Sequence, residues 1–386
     1  MSSHQVPTEL WLDIFRRLPR KSLHAVYATD RTFRDSARAL LFTHFVFSPY
    51  YYRFLNFQRD YRLNIPTPYG IRFSLERLEF WSSDDIAPLV RHCTIATRDQ
   101  REGEQLVSLD EVESPHILMR AILDGLARFT RLKTLSAKRV EFTQAGVTNL
   151  CRLPPFTEIV VDQCDFCYSC TGFRFLREPD VPWFSILHRG HLRELTLNVE
   201  GDARLVAAAV AAGPAFLHVH KLQLGIKTST IVENLNMLYK FPGVRELHFL
   251  IRDADRWMWS LTVSGHTQVP AFVPGLNTLP LLREYNGPCL LLPIFLQQPN
   301  LTRLIIGLCS SRDLLAQLHG EHYRITSLHA TLYNLDPEDL SSLCRSFPAL
   351  VDLCIQIDAI VEQDDLKYGS IPTPPMNVLS TLTRKK

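Results

Sequence analysis

The sequence predicts an α/β protein in which a small N-terminal module of three helices precedes a solenoid of strand–helix repeats, with a parallel sheet on its concave face. Two observations support this prediction. Short segments with wide apolar helical faces fill about the first 45 residues. A phrase of the form apolar-x-x-apolar-x-apolar then recurs along the rest of the chain, with helical segments between its copies.

The first helix is expected between two prolines. Pro7 suits the start of a helix, where its missing N–H is not needed, and Pro19 ends the helix. Leu10, Ile14 and Leu18 lie four residues apart and therefore share one helical face. This segment is expected to bury that face against another surface.

Two further helices are expected before residue 45. Ser22 can cap a second helix that carries Leu23 and Val26, and Asp30 can cap a third that carries Phe33. Helices this short are not expected to enclose a core of their own, so their apolar faces should lean on something else.

The N-terminal residues resemble an F-box, which connects a substrate-recruiting protein to a Skp–cullin–RING ubiquitin ligase. The resemblance rests on the V-P-T-E-L opening, the I-F-x-x-L-P end of the first helix, S-L-x-x-V in the second helix and an aromatic residue in the third. It departs at Val6, where leucine is commoner, and at Phe33, where tryptophan often stands. An ordinary N-terminal helical cap on a larger domain is the alternative interpretation.

The F-box resemblance implies a contact with the Skp-type linker subunit and, through it, with a cullin. The side chains that would make the contact form the apolar stripe of the module. They are Pro7, Leu10, Ile14, Phe15, Leu18, Leu23, Val26 and Phe33.

Composition sets outer bounds on the protein. The 386 residues exceed what one compact core usually holds, and 46% hydrophobic with 21% charged residues is typical of a folded, water-soluble chain. A net charge of +2 favours neither nucleic acid nor a membrane as partner. The N-terminus lacks the pattern of a signal peptide, and the nine cysteines are then expected to be reduced. We expect an intracellular protein, cytoplasmic or nuclear.

The recurring phrase indicates a repeat architecture. Its copies begin at residues 75, 132, 156, 192, 219, 244, 301, 325 and 350, and a weaker copy begins at residue 282. The end of each copy alternates between apolar residues and other residues, which predicts a strand with every second side chain turned inward. Helical segments are expected between the strands, over residues 143–153, 202–212, 229–241, 290–298 and 335–347. In the last of these, Asp336 caps and Pro337 takes the first helical position.

These units are similar to irregular leucine-rich repeats, which have a period of about 20–29 residues. The pairing with an F-box resembles large fungal F-box families. The implied domains are an F-box-like module over 1–47, a joint over 48–70, a leucine-rich-repeat-like solenoid over 71–358 and a loosely ordered tail over 359–386. A doubly wound α/β domain is the alternative, although no glycine-rich phosphate loop follows any expected strand.

Two irregular segments are expected to play supporting roles. The joint is rich in aromatic residues interleaved with Arg53 and Arg59, which would suit either a nucleic-acid surface or, as we favour, packing against the first repeat. The polar segment 98–114 is expected to be a surface loop.

The concave sheet face is the expected substrate-binding surface, because solenoids commonly bind there. Polar side chains between the inward leucines carry both signs of charge. The candidates are Lys138, Glu194, Lys221, Gln223, Glu246, His248, Arg303 and His329.

The chain carries little that indicates catalysis. Cys164, Cys167 and Cys170 have metal-ligand spacing, but no second pair completes a known zinc pattern, and we interpret them as loop residues. Trp257 and Trp259 could anchor a partner or pack internally. We therefore expect no metal, no cofactor and no enzymatic activity, with a zinc- or thiol-dependent enzyme as the alternative.

Together the sequence predicts a ligase adaptor that binds a Skp-type linker through its N-terminal helices and an unknown protein substrate through the repeats. A scaffold that binds the linker or other proteins without ubiquitin transfer is the alternative.

Overall fold

The computed structural model describes residues 8–29, 31–55, 58–100, 105–112, 114–143, 150, 153, 155–167, 191–199, 203–226, 231–251, 279–318, 320, 322, 324–333 and 335–357. The chain forms two compact units, Met1–His191 and Leu192–Lys386. Each unit is a mixed α/β structure built on a parallel sheet, which confirms the predicted α/β class. The finer domain boundaries expected from the sequence stay predictions.

The first unit begins with the three expected helices. They are α1 (Thr8–Arg17), α2 (Arg20–Thr29) and α3 (Arg31–Leu41). Because α2 already begins at Arg20, Ser22 lies in its first turn rather than at its cap. Pro7 and Asp30 lie outside the described residues.

The remaining elements of the first unit are mostly short. The strands are β1 (His44–Phe47), β2 (Tyr51–Leu55), β3 (Gln58–Pro66), β4 (His92–Ala96), β5 (Arg98–Asp99), β6 (Leu106–Ser108), β7 (Thr134–Lys138), β8 (Glu141–Thr143) and β9 (Glu158–Cys167). The helices are α4 (Pro68–Trp81) and α5 (Ile117–Gly125), with short 3-10 turns between elements.

The parallel sheet of the first unit contains β1, β4, β7 and β9 in that order. Their first residues lie in one row, because His44 pairs with His92, His92 with Thr134, and Thr134 with Glu158. The copies of the phrase that begin at 132 and 156 supply β7 and β9. The strands β1 and β4 were not expected, since neither carries the full phrase.

One expected strand is wrong. The phrase from Leu75 to Phe80 lies inside α4, whose buried side chains are Leu78 and Trp81. Pro68 starts this helix, and apolar residues three apart fit a helical face as well as they fit the opening of the phrase. The spacing of the phrase by itself therefore does not distinguish a strand from a helix.

A second, small sheet occupies the segments expected to be a joint and a loop. Strands β2 and β3 are antiparallel, β5 flanks β2, and β6 flanks β3. Tyr50, Tyr51 and Ile65 are buried here. The expectation that residues 98–114 form only a surface loop is wrong, because two strands and a 3-10 turn form within them.

Among its described residues, the second unit contains seven parallel strands. They are β10 (Glu194–Val199), β11 (Lys221–Ile226), β12 (Glu246–Ile251), β13 (Glu284–Gly287), β14 (Arg303–Ser310), β15 (Ser327–Tyr333) and β16 (Asp352–Ile357). Strands that are consecutive in the chain are neighbours in this sheet, from β10 at one end of the series to the edge strand β16 at the other. This order never reverses within the unit, whereas the order of a doubly wound sheet does.

The register of these strands follows the phrase. The fourth residue of each copy lies in one row across the sheet, namely Leu195, Leu222, Leu247, Tyr285, Leu304, Leu328 and Leu353. The first six are buried and the last, on the edge strand, is half-buried. The core of the unit is therefore a continuous apolar stack under the sheet.

Helices lie between these strands in the sequence. They are α6 (Ala203–Ala212), α7 (Ile231–Asn236), α8 (Leu292–Phe295), α9 (Ser311–Ala316) and α10 (Pro337–Ser346). The helix α10 begins at Pro337 with Asp336 at the N-cap position, as predicted, but the Asp336 side chain makes no capping hydrogen bond. The helix α9 was not expected, and Ser310 caps it by accepting a hydrogen bond from the Asp313 backbone N–H at 2.9 Å. The helix expected over residues 143–153 lies mostly outside the described residues.

Gly225 on β11 lies under the side chain of Asn198 on β10. A Cβ atom at Gly225 would lie 2.9 Å from the Asn198 Cα and would overlap the Asn198 amide. Gly307 on β14 is a matched control, because its nearest neighbour, the Gly287 carbonyl oxygen, would be 3.9 Å away.

We expect Gly225→Ala to lower the free energy of unfolding by about 1–3 kcal/mol, since the backbone contact cannot relax without moving a strand. Gly307→Ala should be neutral or slightly stabilising, because alanine restricts the unfolded chain. Urea unfolding midpoints measure both. Equal effects of the two substitutions would contradict the packing seen at Gly225.

Among the described residues of the first unit, burial lowers the pKa of His44 and of His116, and His116 is the more enclosed of the two. The hydroxyl of the buried Tyr50 lies 2.8 Å from His116 Nδ1 and 3.3 Å from the Glu141 carbonyl oxygen. Burial lowers the pKa of His116 below its ordinary value, and the Glu141 carboxylate opposes this only in part. The folded state therefore binds fewer protons at His116 than the unfolded state does.

It follows that stability is greatest above the ordinary histidine pKa of about 6.5 and falls as the pH drops through and below that value. The substitution His116→Gln should reduce this fall, while costing about 1 kcal/mol at pH 7.5 through the lost hydrogen bond. Unfolding free energies at pH 7.5 and 5.5 test this, with His24→Gln on the exposed side of α2 as control. Parallel pH dependences for wild type and His116→Gln would refute it.

Candidate protein-binding surfaces

The helix α1 exposes two large apolar side chains. Leu10 is 54% exposed and Ile14 is 46% exposed. They are four residues apart, so they lie on the same face of the helix, about one turn from each other. Of the eight side chains predicted to bind a linker subunit, these two are the ones that the structure leaves clearly open to solvent among the described residues.

The other predicted linker-binding residues belong to a small core within the helical module. Phe15 and Leu23 are buried in it, together with Ala37 and Leu41. Leu18, Val26 and Phe33 pack against this cluster and are only partly accessible. The expectation that three short helices would enclose no core is therefore wrong, and Phe15 and Leu23 can act on a partner only by holding the helices in place.

Aromatic rings explain how so short a module encloses a core. Trp11, Phe15 and Phe33 surround one another, with ring centroids 4.7 Å apart for Trp11 and Phe33 and 5.5 Å apart for Phe15 and Phe33. Large rings bury more apolar area per residue than leucine does. The three rings therefore supply apolar area that an aliphatic cluster would obtain from longer helices.

The helical module is fixed to the rest of the first unit at the end of α3. The Phe42 ring meets Trp81 of α4 at 5.3 Å between centroids. Arg38 donates to the Asp85 backbone carbonyl at 2.8 Å and lies 3.7 Å from its carboxylate. These contacts hold the module on its folded unit while α1 keeps Leu10 and Ile14 exposed.

The second unit presents two mostly polar rows on the sheet face opposite its leucine row. The third residue of each phrase forms the first row, which is Glu194, Lys221, Glu246, Glu284, Arg303, Ser327 and Asp352. The fifth residue forms the second row, which is Thr196, Gln223, His248, Asn286, Ile305, His329 and Cys354.

Charged side chains in these rows pair across neighbouring strands. Glu284 is the most enclosed, with Arg303 at 3.3 Å on one side and His248 Nε2 at 3.1 Å on the other. Lys221 Nζ lies 3.8 Å from the Glu194 carboxylate. Most of the charge on this face is therefore balanced within the sheet.

A second histidine–carboxylate pair lies at the last two strands. His329 Nε2 is 2.9 Å from Asp352 Oδ2, and the Ser327 hydroxyl donates to the same oxygen at 3.0 Å. The hydrogen bond from His329, followed by that from Ser327, lowers the pKa of Asp352. Because Asp352 is largely exposed, this pair contributes little to stability.

The predicted substrate-binding residues are thus mostly brought together. Seven of them lie on the sheet face of the second unit, whereas Lys138 ends β7 in the first unit and is exposed there. Sequence analysis missed Glu284 and Asp352, the carboxylates that pair with the predicted His248 and His329. Their signal was present, since both occupy the third position of a phrase copy.

Of the three cysteines in the phrase, the structure describes the side chain of Cys164, which shows no sign of reactivity. Cys164 is buried, and burial raises the pKa of its thiol to about 12. The side chains of Cys167 and Cys170, like Trp257 and Trp259, lie outside the described residues. Among the residues that the structure does describe, no three potential metal ligands come together.

Comparisons with known proteins do not identify the class of protein to which this chain belongs. A scan against models of known protein families found no match, and a search of curated proteins found no matching sequence. Within the described ranges of the chain, no helix combines the length and the hydropathy needed to cross a membrane.

The accessibility of α1 leads to a prediction about stability. Phe15→Ala should lower the free energy of unfolding by about 3–5 kcal/mol, because it empties the centre of the aromatic cluster. Leu10→Ala and Ile14→Ala should each stay within about 0.5 kcal/mol of wild type, because exposed positions carry little folding energy. Thermal and urea unfolding of the full chain measure all three. A large loss at Leu10 or Ile14 would mean that this face is packed rather than open.

Proposed function

We propose that this chain is a substrate-recruiting adaptor of a Skp–cullin–F-box ubiquitin ligase. In this proposal α1 docks on the Skp-type linker subunit, and the polar sheet face of the second unit holds a protein substrate. The observation that carries the proposal is the exposure of Leu10 and Ile14 on a helix that is anchored by the buried Phe15 and the partly buried Trp11.

An exposed apolar pair on an ordered helix supports a docking role. Fully burying a leucine or isoleucine side chain contributes about 1.5–3 kcal/mol, and here the helix is already formed, so little ordering entropy opposes binding. The pair alone falls short of the roughly 8 kcal/mol needed for micromolar affinity. The proposed interface therefore also includes the chain before α1, where the F-box resemblance places Pro7.

The sheet of the second unit supports the proposed substrate role. Seven parallel strands in chain order carry the same phrase in the same register, which is the arrangement expected of leucine-rich-repeat-like units. On its polar face, Glu246 and Gln223 take no part in the pairs described above and lie between them. We propose that they are the first groups available to a substrate, while the paired charges set the shape of the site.

The rival function is a scaffold that binds the linker without ubiquitin transfer. The same exposed pair on α1 would serve it, so the two functions differ only in what assembles beyond the linker. Recovery of a cullin with the chain and the linker supports the ligase adaptor, and a stable complex that excludes the cullin supports the scaffold.

The linker contact is tested with the variant Leu10→Asp/Ile14→Asp in the full chain, co-expressed with a Skp-type linker. We expect co-purification to be lost, because two carboxylates would have to enter an apolar interface. The matched control is Leu217→Asp/Val351→Asp, which places the same charges at exposed apolar positions of the second unit and should bind normally.

Undiminished binding by the α1 variant would overturn the proposal, and so would an absence of binding by wild type. Point variants are preferable to a deletion of the first 48 residues. Such a deletion removes β1, which pairs with β4, and uncovers Trp81 beneath Phe42.

A further inference from the structure

The helix α4 carries an aromatic ridge that nothing in the proposed function uses. Tyr69, Phe73 and Phe80 are 82%, 63% and 52% exposed. At 100° per residue they fall within about 40° of one another, on the side opposite the buried Leu78 and Trp81. The part of the helix farthest from the core is therefore its most aromatic part.

The spacing of the ridge is that of a helix-pairing seam. Tyr69, Phe73, Glu76 and Phe80 follow intervals of four, three and four residues, which repeat every seven residues as in a coiled coil. Exposed rings in such a row are costly to leave in water, and they indicate an interaction surface. The seam spans about three helical turns, which suits a second helix of similar length.

The charged residues along the ridge indicate which helix would pair with α4. Arg72 and Glu79 border the ridge on one edge, seven residues apart and opposite in sign. On the other edge, Arg77 turns back to the body, where it donates to the Val46 carbonyl at 3.0 Å. Glu76 on the crest is held by Arg72, with 3.0 Å between Nε and Oε1.

We infer that α4 pairs antiparallel with α4 of a second copy of this chain. A two-fold axis across the ridge brings each edge against the same edge of the other copy, running in the opposite direction. Arg72 then faces Glu79 of the other copy at both ends, and Phe80 lies near Tyr69 of the other copy. A parallel pair would instead bring Arg72 towards Arg77, so the charge pattern selects the antiparallel dimer.

The dimer is expected to be weak. A single pair of four-turn helices buries less than the roughly 1,600 Å² of a standard protein–protein interface. The enclosed Glu76 reduces the affinity further, although its partner Arg72 accompanies it. A dissociation constant on the order of 10–100 μM is therefore expected.

The test is sedimentation equilibrium of the full chain from about 1 to 500 μM at low salt. Wild type should dimerise, and Phe73→Ser should remain monomeric because it removes the central ring. Arg72→Glu and Glu79→Arg should each weaken the dimer by about tenfold, since each makes both end contacts repulsive. Arg131→Glu, an exposed change elsewhere in the same unit, should leave dimerisation unchanged.

Two combinations make the test specific to self-pairing. The double variant Arg72→Glu/Glu79→Arg should regain wild-type dimerisation. An equimolar mixture of the two single variants should form a heterodimer tighter than either homodimer, because its end contacts are attractive again. A wild-type monomer at every concentration, or single variants that dimerise like wild type, would overturn the inference, as would a mixture that shows no gain. Circular dichroism confirms that each variant is folded.

Discussion

The in-register pairing of parallel strands is the constraint on which most of the second unit depends. Because every copy of the phrase enters the sheet at the same position, its fourth residue always points to the core and its third and fifth always point away. A slip of one residue would place a row of leucines in water and a row of charges in the core. The buried stack therefore also fixes the composition of the opposite face.

That face is pre-arranged by the same register. Side chains at the third and fifth phrase positions of adjacent strands are close enough to pair, either straight across or diagonally, so acids and bases meet without any loop to position them. Glu284 between His248 and Arg303 is the fullest example. A partner that binds here meets a surface whose charges are already oriented, and its own groups need only match them.

In the first unit, the packing of the helices keeps some apolar side chains exposed to solvent instead of folding them into the core. Around α1–α3, a core centred on Phe15, against which the rings of Trp11 and Phe33 pack, is small enough to leave Leu10 and Ile14 outside it. On α4, Leu78 and Trp81 anchor one side of the helix, while Tyr69 and Phe73 on the opposite side are exposed and Phe80 is half-exposed beside Phe42. In both places a firmly packed face makes the exposed face rigid, and rigidity lowers the entropy cost of binding a partner.

The sequence by itself determined the three N-terminal helices, the strands that carry the phrase from Thr134 onward, and the mostly polar rows between the leucines of the second unit, because each depends on local spacing. Only the tertiary structure decided that the phrase at Leu75 is helical, that residues near Tyr51 form a second sheet, and that Phe15 is buried while Ile14 is not. These outcomes depend on which neighbours come to cover a face. A periodic pattern predicts that a face is apolar, but whether that face contacts water or another side chain depends on how the whole molecule packs.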